Sequence, residues 1–118
     1  MSFDEAFGGE ERPWGYFHIL RDTGTCKVKE ICVYPGHRLS YQYHHHRSEQ
    51  WLIVEGIGTL TLNEEKIQVK AGRYILIPKM MRHRIENSGV SDLLFIEVQT
   101  GDYFGEDDIV RLADDYER

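Results

Sequence analysis

The 118-residue sequence predicts an all-β fold, a barrel or jelly roll carrying one short C-terminal helix. Two observations predict it. Short alternating or apolar runs recur along the chain, separated by turn signals at Asp22 to Thr25, Pro35-Gly36, Asn63-Glu64 and Ala71-Gly72. No strongly amphipathic helical stretch precedes the tail. The length suits one domain over residues 1–118, with no internal repeat, low-complexity run or linker to divide it.

Residues 1–11 are polar and glycine-containing and are expected to be loose. Arg12, Pro13, Trp14 and Gly15 make a fixed turn into a strand over Tyr16 to Arg21. Asp22 to Thr25 is a hairpin turn. The next strand, Cys26 to Tyr34, puts Cys26, Val28, Glu30 and Cys32 on one side and Lys27, Lys29, Ile31 and Val33 on the other. Neither side is wholly apolar, so a register break is expected near Glu30. Leu39 to His46 reads as a strand, residues 47–50 as a polar turn, and Trp51 to Val54 as the return, punctuated by Gly56. Gly58 to Leu62 and Ile67 to Lys70 flank a polar turn at Asn63 to Lys66. Tyr74 to Ile77 is a short apolar strand stopped by Pro78. His83 to Glu86 and Leu93 to Gln99 complete a set of about nine strands. Glu106 to Ala113 reads as the helix, with acids in its first turn where the helix dipole favours them; Asp107 and Asp108 would cap and position it.

The formal charge is −6, and the tail from 102 to 118 contributes −5 of it, with seven acids against Arg111 and Arg118. No basic stripe of the kind nucleic acid requires is present. The acidic tail argues against an anionic membrane surface, and no apolar run approaches the roughly 20 residues of a membrane span. The N-terminus lacks the basic and apolar regions of a signal peptide, so a cytosolic protein is expected. Cys26 and Cys32 fall on one strand, where six extended residues span roughly 20 Å. A disulfide needs Cα atoms within about 7 Å, so two unpaired, buried thiols are expected.

The densest set of metal-ligand types lies between Gly36 and Gly56. On a strand, Gln42, His44 and His46 share one face, and His45 points the other way. Glu49, at the start of the return, can aim back at Gln42 and His44. His83, opening a later strand after the Pro78 turn, is the candidate fourth ligand. An amide oxygen, two imidazoles and a carboxylate suit a divalent transition metal.

These stretches resemble the two cupin motifs. Gly36, His44, Glu49 and Gly56 match the spacing G-x5-H-x-H-x4-E-x6-G, with Gln42 in place of the first histidine. Gly72, Pro78, His83 and Asn87 match G-x5-P-x-G-x2-H-x3-N, with Met80 in place of the inner glycine. The Gln-x-His pair, the string His44-His45-His46-Arg47, the tail from Gly101 to Arg111 and Arg12-Pro13-Trp14-Gly15 resemble the type II mannose-6-phosphate isomerase domain, from about Arg12 to Arg118. The resemblance implies a cupin-type double-stranded β-helix and a divalent metal. Zinc is the first choice, with manganese, iron, cobalt and nickel open on donor type. It also implies conversion of mannose 6-phosphate and fructose 6-phosphate through an enediolate. Larger members carry a nucleotidyltransferase domain before the cupin, for which 118 residues leave no room. Edge-strand pairing, with exchange of the segment before Tyr16, gives a homodimer as the default expectation. Two other readings stay open: a non-catalytic cupin that binds metal or sugar, and a metal-dependent oxygenase, which Gln42 disfavours.

Other residues have candidate roles. The resemblance makes Arg111 a catalytic or phosphate-binding residue, and a guanidinium can hold phosphate by two parallel hydrogen bonds. Glu97 is an ionisable group inside the apolar strand Leu93 to Gln99; it faces either the lumen, as a base or a hydroxyl acceptor, or an exposed edge. His46 either enters the pocket as a proton carrier or lies past the rim in the turn. Lys27 and Lys29, if inward, would support a substrate phosphate. His37 and His45 are expected to be exposed, and Trp14 and Trp51 to serve as packing.

Overall fold

Eleven strands form two antiparallel sheets in the structure, a computed structural model that describes residues 9–116. They are β1 (Gly9–Arg12), β2 (Gly15–Asp22), β3 (Cys26–Val33), β4 (Tyr41–His44), β5 (Arg47–Glu55), β6 (Ile57–Leu62), β7 (Glu65–Lys70), β8 (Tyr74–Ile77), β9 (His83–Asn87), β10 (Leu93–Gly101) and β11 (Ile109–Ala113). One sheet has six strands in the order β1-β2-β3-β10-β5-β8, and the other five in the order β11-β4-β9-β6-β7. The apolar core draws on both, with Ile31, Ile53 and Phe95 from the first and Leu60, Val69 and Ile85 from the second.

The polarity of three central strands positions the site. On β10 the buried residues run from Leu93 and Phe95 to Glu97 and Gln99. On antiparallel β5 they run from Arg47 and Glu49 to Trp51 and Ile53. The register places Phe95 opposite Ile53, Glu97 opposite Trp51 and Gln99 opposite Glu49. On the other side of β10, Ile31 and Lys29 of β3 face Phe95 and Glu97. Each strand therefore carries an apolar end and a polar end, and antiparallel pairing stacks like on like. The barrel is filled at one end, where Trp51 and Phe95 pack with ring centroids 4.5 Å apart. At the other end it is lined with charge.

The structure corrects several expectations. The C-terminal helix is absent: Glu106–Asp108 is one 3-10 turn, and residues 109–113 are β11, paired with β4. Ile109 and Val110 are β-branched, and the open edge of β4 gives their backbone partners. Residues 47–50 are strand rather than turn, because His45 and His46 alone make the connection. Of residues 47–50, Arg47 and Glu49 face a polar lumen instead of solvent, while Ser48 and Gln50 alternate to the other face. Of the segment expected to be loose, Gly9 to Glu11 lie in β1, which forms a hairpin with β2 of the same chain. A polar sequence suits an edge strand. Residues 1–8, 117 and 118 lie outside the described residues. The register break falls on β2, between Ile19 and Arg21, and the β3–β10 pairing is continuous through Glu30.

The Asn63 hairpin turn is shorter than expected, since Glu65 and Lys66 belong to β7. Asn63 and Glu64 carry it at φ 45° and 77°, the left-handed pair that a two-residue hairpin needs. Cys26 and Cys32 share β3 and are both free thiols; Cys32 is buried and Cys26 only partly so.

Candidate metal centre and cavity

The β4–β5 hairpin delivers most of the site. Its two-residue turn is pinned from outside by Asp108. The backbone N–H groups of His45 and His46 donate to the two Asp108 carboxylate oxygens at 3.1 and 2.9 Å. Gln42 and His44 then point inward from β4, and Gln42 lies opposite His83 across the β4–β9 pairing. Glu49 enters from β5, beneath both histidines.

Three donors converge here. His44 Nε2 lies 3.6 Å from Glu49 Oε2, and His83 Nε2 lies 3.8 Å from Glu49 Oε1. The three ligand atoms sit within 4.8 Å of one another, and all three residues are buried. Hydrogen bonds fix both imidazole tautomers. His83 Nδ1–H donates to the Met81 carbonyl at 3.0 Å, which leaves a lone pair on Nε2. His44 Nε2 is 2.8 Å from Arg47 Nη2, and a guanidinium only donates, so His44 Nε2 is the acceptor. Burial is the main cause that lowers both histidine pKa values, that of His44 to about 4, against the attraction of Glu49. Both rings are therefore neutral near pH 7, the form that ligates metals.

Glu49 accepts from Arg47 Nε at 2.9 Å and from the Trp51 indole at 3.0 Å. Burial works against its charge. His83, Arg47 and His44, with a hydrogen bond from Glu97, outweigh burial and hold the carboxyl below the usual carboxylate range. Arg47 is the permanent cation among them. Glu97 behaves in the opposite way. Burial first, then the Glu49 charge, push it up to about 8, although Lys29 and Arg47 pull it down. The pKa values of the two adjacent carboxyls are thus driven apart, Glu49 toward the ionised form and Glu97 toward the protonated one. The Gln99 amide donates to Glu97 Oε1. Neutral imidazoles with aimed lone pairs, an ionised carboxylate and the Gln42 amide fit a divalent transition metal.

A cavity of about 110 Å³ adjoins this cluster. Its remaining walls include Arg12, Trp14, Phe17, Lys29, Ser40 and Arg111. The Lys29 ammonium sits 4.4 Å from the centroid of the Phe17 ring and the Arg12 guanidinium 5.3 Å from it, so one aromatic ring gathers two cations. Arg111 lies on β11 opposite Gln42. The Trp14 indole N–H and the Ser40 hydroxyl are buried and have no hydrogen-bond partner among the described residues.

The family model for the mannose-6-phosphate isomerase C-terminal domain matches residues 5–114. The chain belongs to that family. It is a cupin, homologous to the C-terminal domain of mannose-1-phosphate guanylyltransferases. It is 44% identical over 105 residues to mannose-1-phosphate guanylyltransferase 2 of Escherichia coli O157:H7, covering 89% of this chain and 22% of that protein. It is also 44% identical over 107 residues to the alginate biosynthesis protein AlgA of Pseudomonas aeruginosa, covering 91% and 22%. The chain thus spans less than a quarter of the length of these relatives. The fold resembles a double-stranded β-helix protein from Klebsiella pneumoniae (TM-score 0.76, 20% identity, 94% of each chain). It also resembles the Lactobacillus farciminis oxalate decarboxylase (TM-score 0.79, 19% identity, 92% of this chain and 34% of that one). Among the described residues no helix is long and apolar enough to cross a membrane.

Within this cupin frame the structure brings Gln42, His44, Glu49, His83, Glu97, Lys29 and Arg111 to one cavity. Lys27 is not part of that lining; it lies nearer the strand end, opposite Gln99. His46 sits at the rim, half-exposed, 3.4 Å from the Asp102 carboxylate. Of its open alternatives the turn position is the one observed. His45 is exposed against Tyr43, and His37 is partly buried and bonds the Tyr116 hydroxyl at 2.7 Å. Trp14 and Trp51 are core residues that also wall the cavity. Reading residues 47–50 as a turn missed Arg47. Its parity with Glu49 was the available signal, since residues two apart on a strand share a face. Met80, where the motif has glycine, holds φ 71°, and its N–H bonds the His44 carbonyl at 2.8 Å. The strained backbone is kept because it ties the β8–β9 turn to β4.

The Asp108 clamp gives a direct prediction. Asp108→Asn retains one acceptor but places an amide against the second N–H, and loss of the charge weakens the bond that remains. A cost of about 2 kcal/mol is expected in urea unfolding at pH 7. The hydrogen bonds from His46 and His45 outweigh burial and depress the Asp108 pKa. Its stabilisation is thus present above the unfolded carboxyl pKa and fades as pH falls through the lower folded value. The gap between wild type and variant should therefore close in acid below about pH 4. A gap unchanged at low pH would rule out this account of the turn.

Proposed function

We propose that this domain catalyses the reversible aldose–ketose isomerisation of a phosphorylated hexose, mannose 6-phosphate to fructose 6-phosphate. The observation that carries the reading is the convergence on one cavity of a metal donor set, the buried carboxyl of Glu97 and the cations Lys29, Arg12 and Arg111. Family membership supports it, as do the mannose phosphates in the relatives' names.

Gln42, His44, Glu49 and His83 would hold the cation. When bound, it supplies Lewis-acid polarisation of a carbonyl oxygen. The chain's own residues account for the rest. The unpartnered Trp14 N–H and Ser40 hydroxyl meet sugar hydroxyls. Arg111 and Arg12 take the phosphate by charge-assisted hydrogen bonds. Glu97, in its ionised form, removes the C2 proton of the open-chain aldose and returns it to C1, through a cis-enediolate. Lys29, opposite Glu97 on β3, steadies the oxyanion and carries the hydroxyl proton from O2 to O1. Glu97 and Lys29 finish as they began, so the net change is isomerisation alone.

The test follows fructose 6-phosphate production by metal-loaded protein, with deuterium exchange at C1 and C2 read by NMR. Glu97→Gln should lower kcat by about 10²–10⁴-fold, the range of a lost general base, with little change in KM. Arg111→Ala should act mainly on KM. Neither turnover nor deuterium exchange with any hexose phosphate would sink the isomerase reading and leave a cupin that binds metal or sugar.

A further inference from the structure

We propose that Arg47 and a divalent cation compete for the same atoms, so that Arg47 must leave the donor cluster before the cation is fully held. The inference rests on the metal-centre reading of the cluster but not on any turnover. Arg47 is buried, and its guanidinium makes two of the shortest contacts in the site: Nη2 to His44 Nε2 at 2.8 Å and Nε to Glu49 Oε2 at 2.9 Å. Those are two of the atoms that a metal would need.

The conflict has two parts. The first concerns orbitals. A neutral imidazole nitrogen has one lone pair, which can accept a hydrogen bond or ligate a cation but not both. While Arg47 is in place, His44 is spent. Glu49 Oε2 is engaged by Arg47 and Oε1 by the Trp51 indole, but each carboxylate oxygen keeps a second lone pair, so the orbital conflict falls on His44 Nε2. The second part is charge. A guanidinium stays protonated at any working pH. Two cations a few ångströms apart in a buried site repel strongly. Glu49 is the carboxylate of the donor cluster, so two positive ions would claim a single negative charge.

The same contacts explain why Arg47 is tolerated there. It gives the buried Glu49 charge a partner and satisfies His44 Nε2, so it does for the fold part of what a metal does for the holoprotein. Metal affinity then reflects the intrinsic donor set minus the work of moving Arg47. A hydrophobic residue at position 47 would remove that work.

The experiment measures Zn²⁺ and Co²⁺ dissociation constants by competition with a chromophoric chelator, for wild type, Arg47→Leu and Arg47→Lys. Arg47→Leu should bind at least tenfold more tightly than wild type. Arg47→Lys, which keeps the charge but presents one ammonium in place of the two-point fork, should fall between. The metal-free Arg47→Leu protein should melt at a lower temperature than wild type and regain more on Zn²⁺ addition. A second readout does not depend on variants folding. In wild type, the Arg47 side-chain Nε–H, held by Glu49, should show slow solvent exchange in ¹⁵N NMR and lose that protection when Zn²⁺ binds. Equal or weaker binding by Arg47→Leu, or an Arg47 Nε–H still protected in the Zn²⁺ complex, overturns the proposal. So does failure of both wild type and Arg47→Leu to bind either metal. A protein that binds metal as described but turns over no hexose phosphate leaves this inference standing and removes only the isomerase reading.

Discussion

Replacing Glu49 with leucine is expected to destabilise the domain by about 4 kcal/mol, a large share of the total stability of a small domain. The reason is not the loss of an attraction as such. Arg47 stays behind, buried and charged, and of its two hydrogen bonds within the cluster it keeps the one to the neutral His44. The Trp51 indole loses its acceptor as well. A buried charge that loses its carboxylate partner costs more than an ion pair gains, because water does not take the partner's place. The decisive comparison is therefore the double variant. Glu49→Leu with Arg47→Leu removes both charges and fills the space with carbon. It should cost much less than the two single changes summed, with a coupling of about 3 kcal/mol in urea unfolding. Additive costs would show that the two side chains do not form a unit, and would weaken the case that Arg47 guards the donor cluster. The variant also removes the only carboxylate among the four proposed ligands, so metal binding should be lost with the stability.

The donor cluster was legible because it is set by local rules. Strand parity places Gln42 and His44 on one face, and the spacing to Glu49 and His83 matches a recurrent pattern. The features that escaped are those that need knowledge of the other side of a strand. Polar residues 47–50 read as a turn only if polarity means solvent. In this barrel polarity at one end means lumen, and which end is polar emerges when β3, β5 and β10 are placed in register. The same register decides Glu97. Its strand was clear, but lumen and edge could not be separated until Lys29 and Trp51 appeared on either side of it. The tail failed for a related reason. Glu106 to Asp108 looked like a helix start, whereas the fate of Ile109 to Ala113 was set by the free edge of β4, more than 60 residues earlier. Asp108 then does at a hairpin what it was expected to do at a helix: its carboxylate collects backbone N–H groups.

Gly101→Ala is expected to destabilise the domain by about 3–5 kcal/mol through a single added methyl group. Gly101 ends β10 opposite Arg47, at φ 148°, and a Cβ there would meet the His46 carbonyl oxygen and, at 2.9 Å, the Arg47 Cα. Both are backbone atoms, so no rotamer change relieves the clash. The hairpin that carries His44, Arg47 and Glu49 must shift, and it is already fixed by Asp108 on one side and by the bond from Asp102 N–H to the His46 carbonyl on the other. Gly72→Ala is the control. Gly72 also has a positive φ, 92°, but a methyl group added there would have nothing within 4 Å. It should therefore show the backbone strain alone, about 1–2 kcal/mol. The difference between the two variants isolates the steric contribution. In Gly101→Ala, the Trp51 indole N–H resonance should also move, because its acceptor Glu49 lies on the displaced strand. In Gly72→Ala it should stay in place. Equal costs for the two changes, or an unmoved Trp51 signal in Gly101→Ala, would show that the hairpin is not held against β10 as closely as the backbone contacts require.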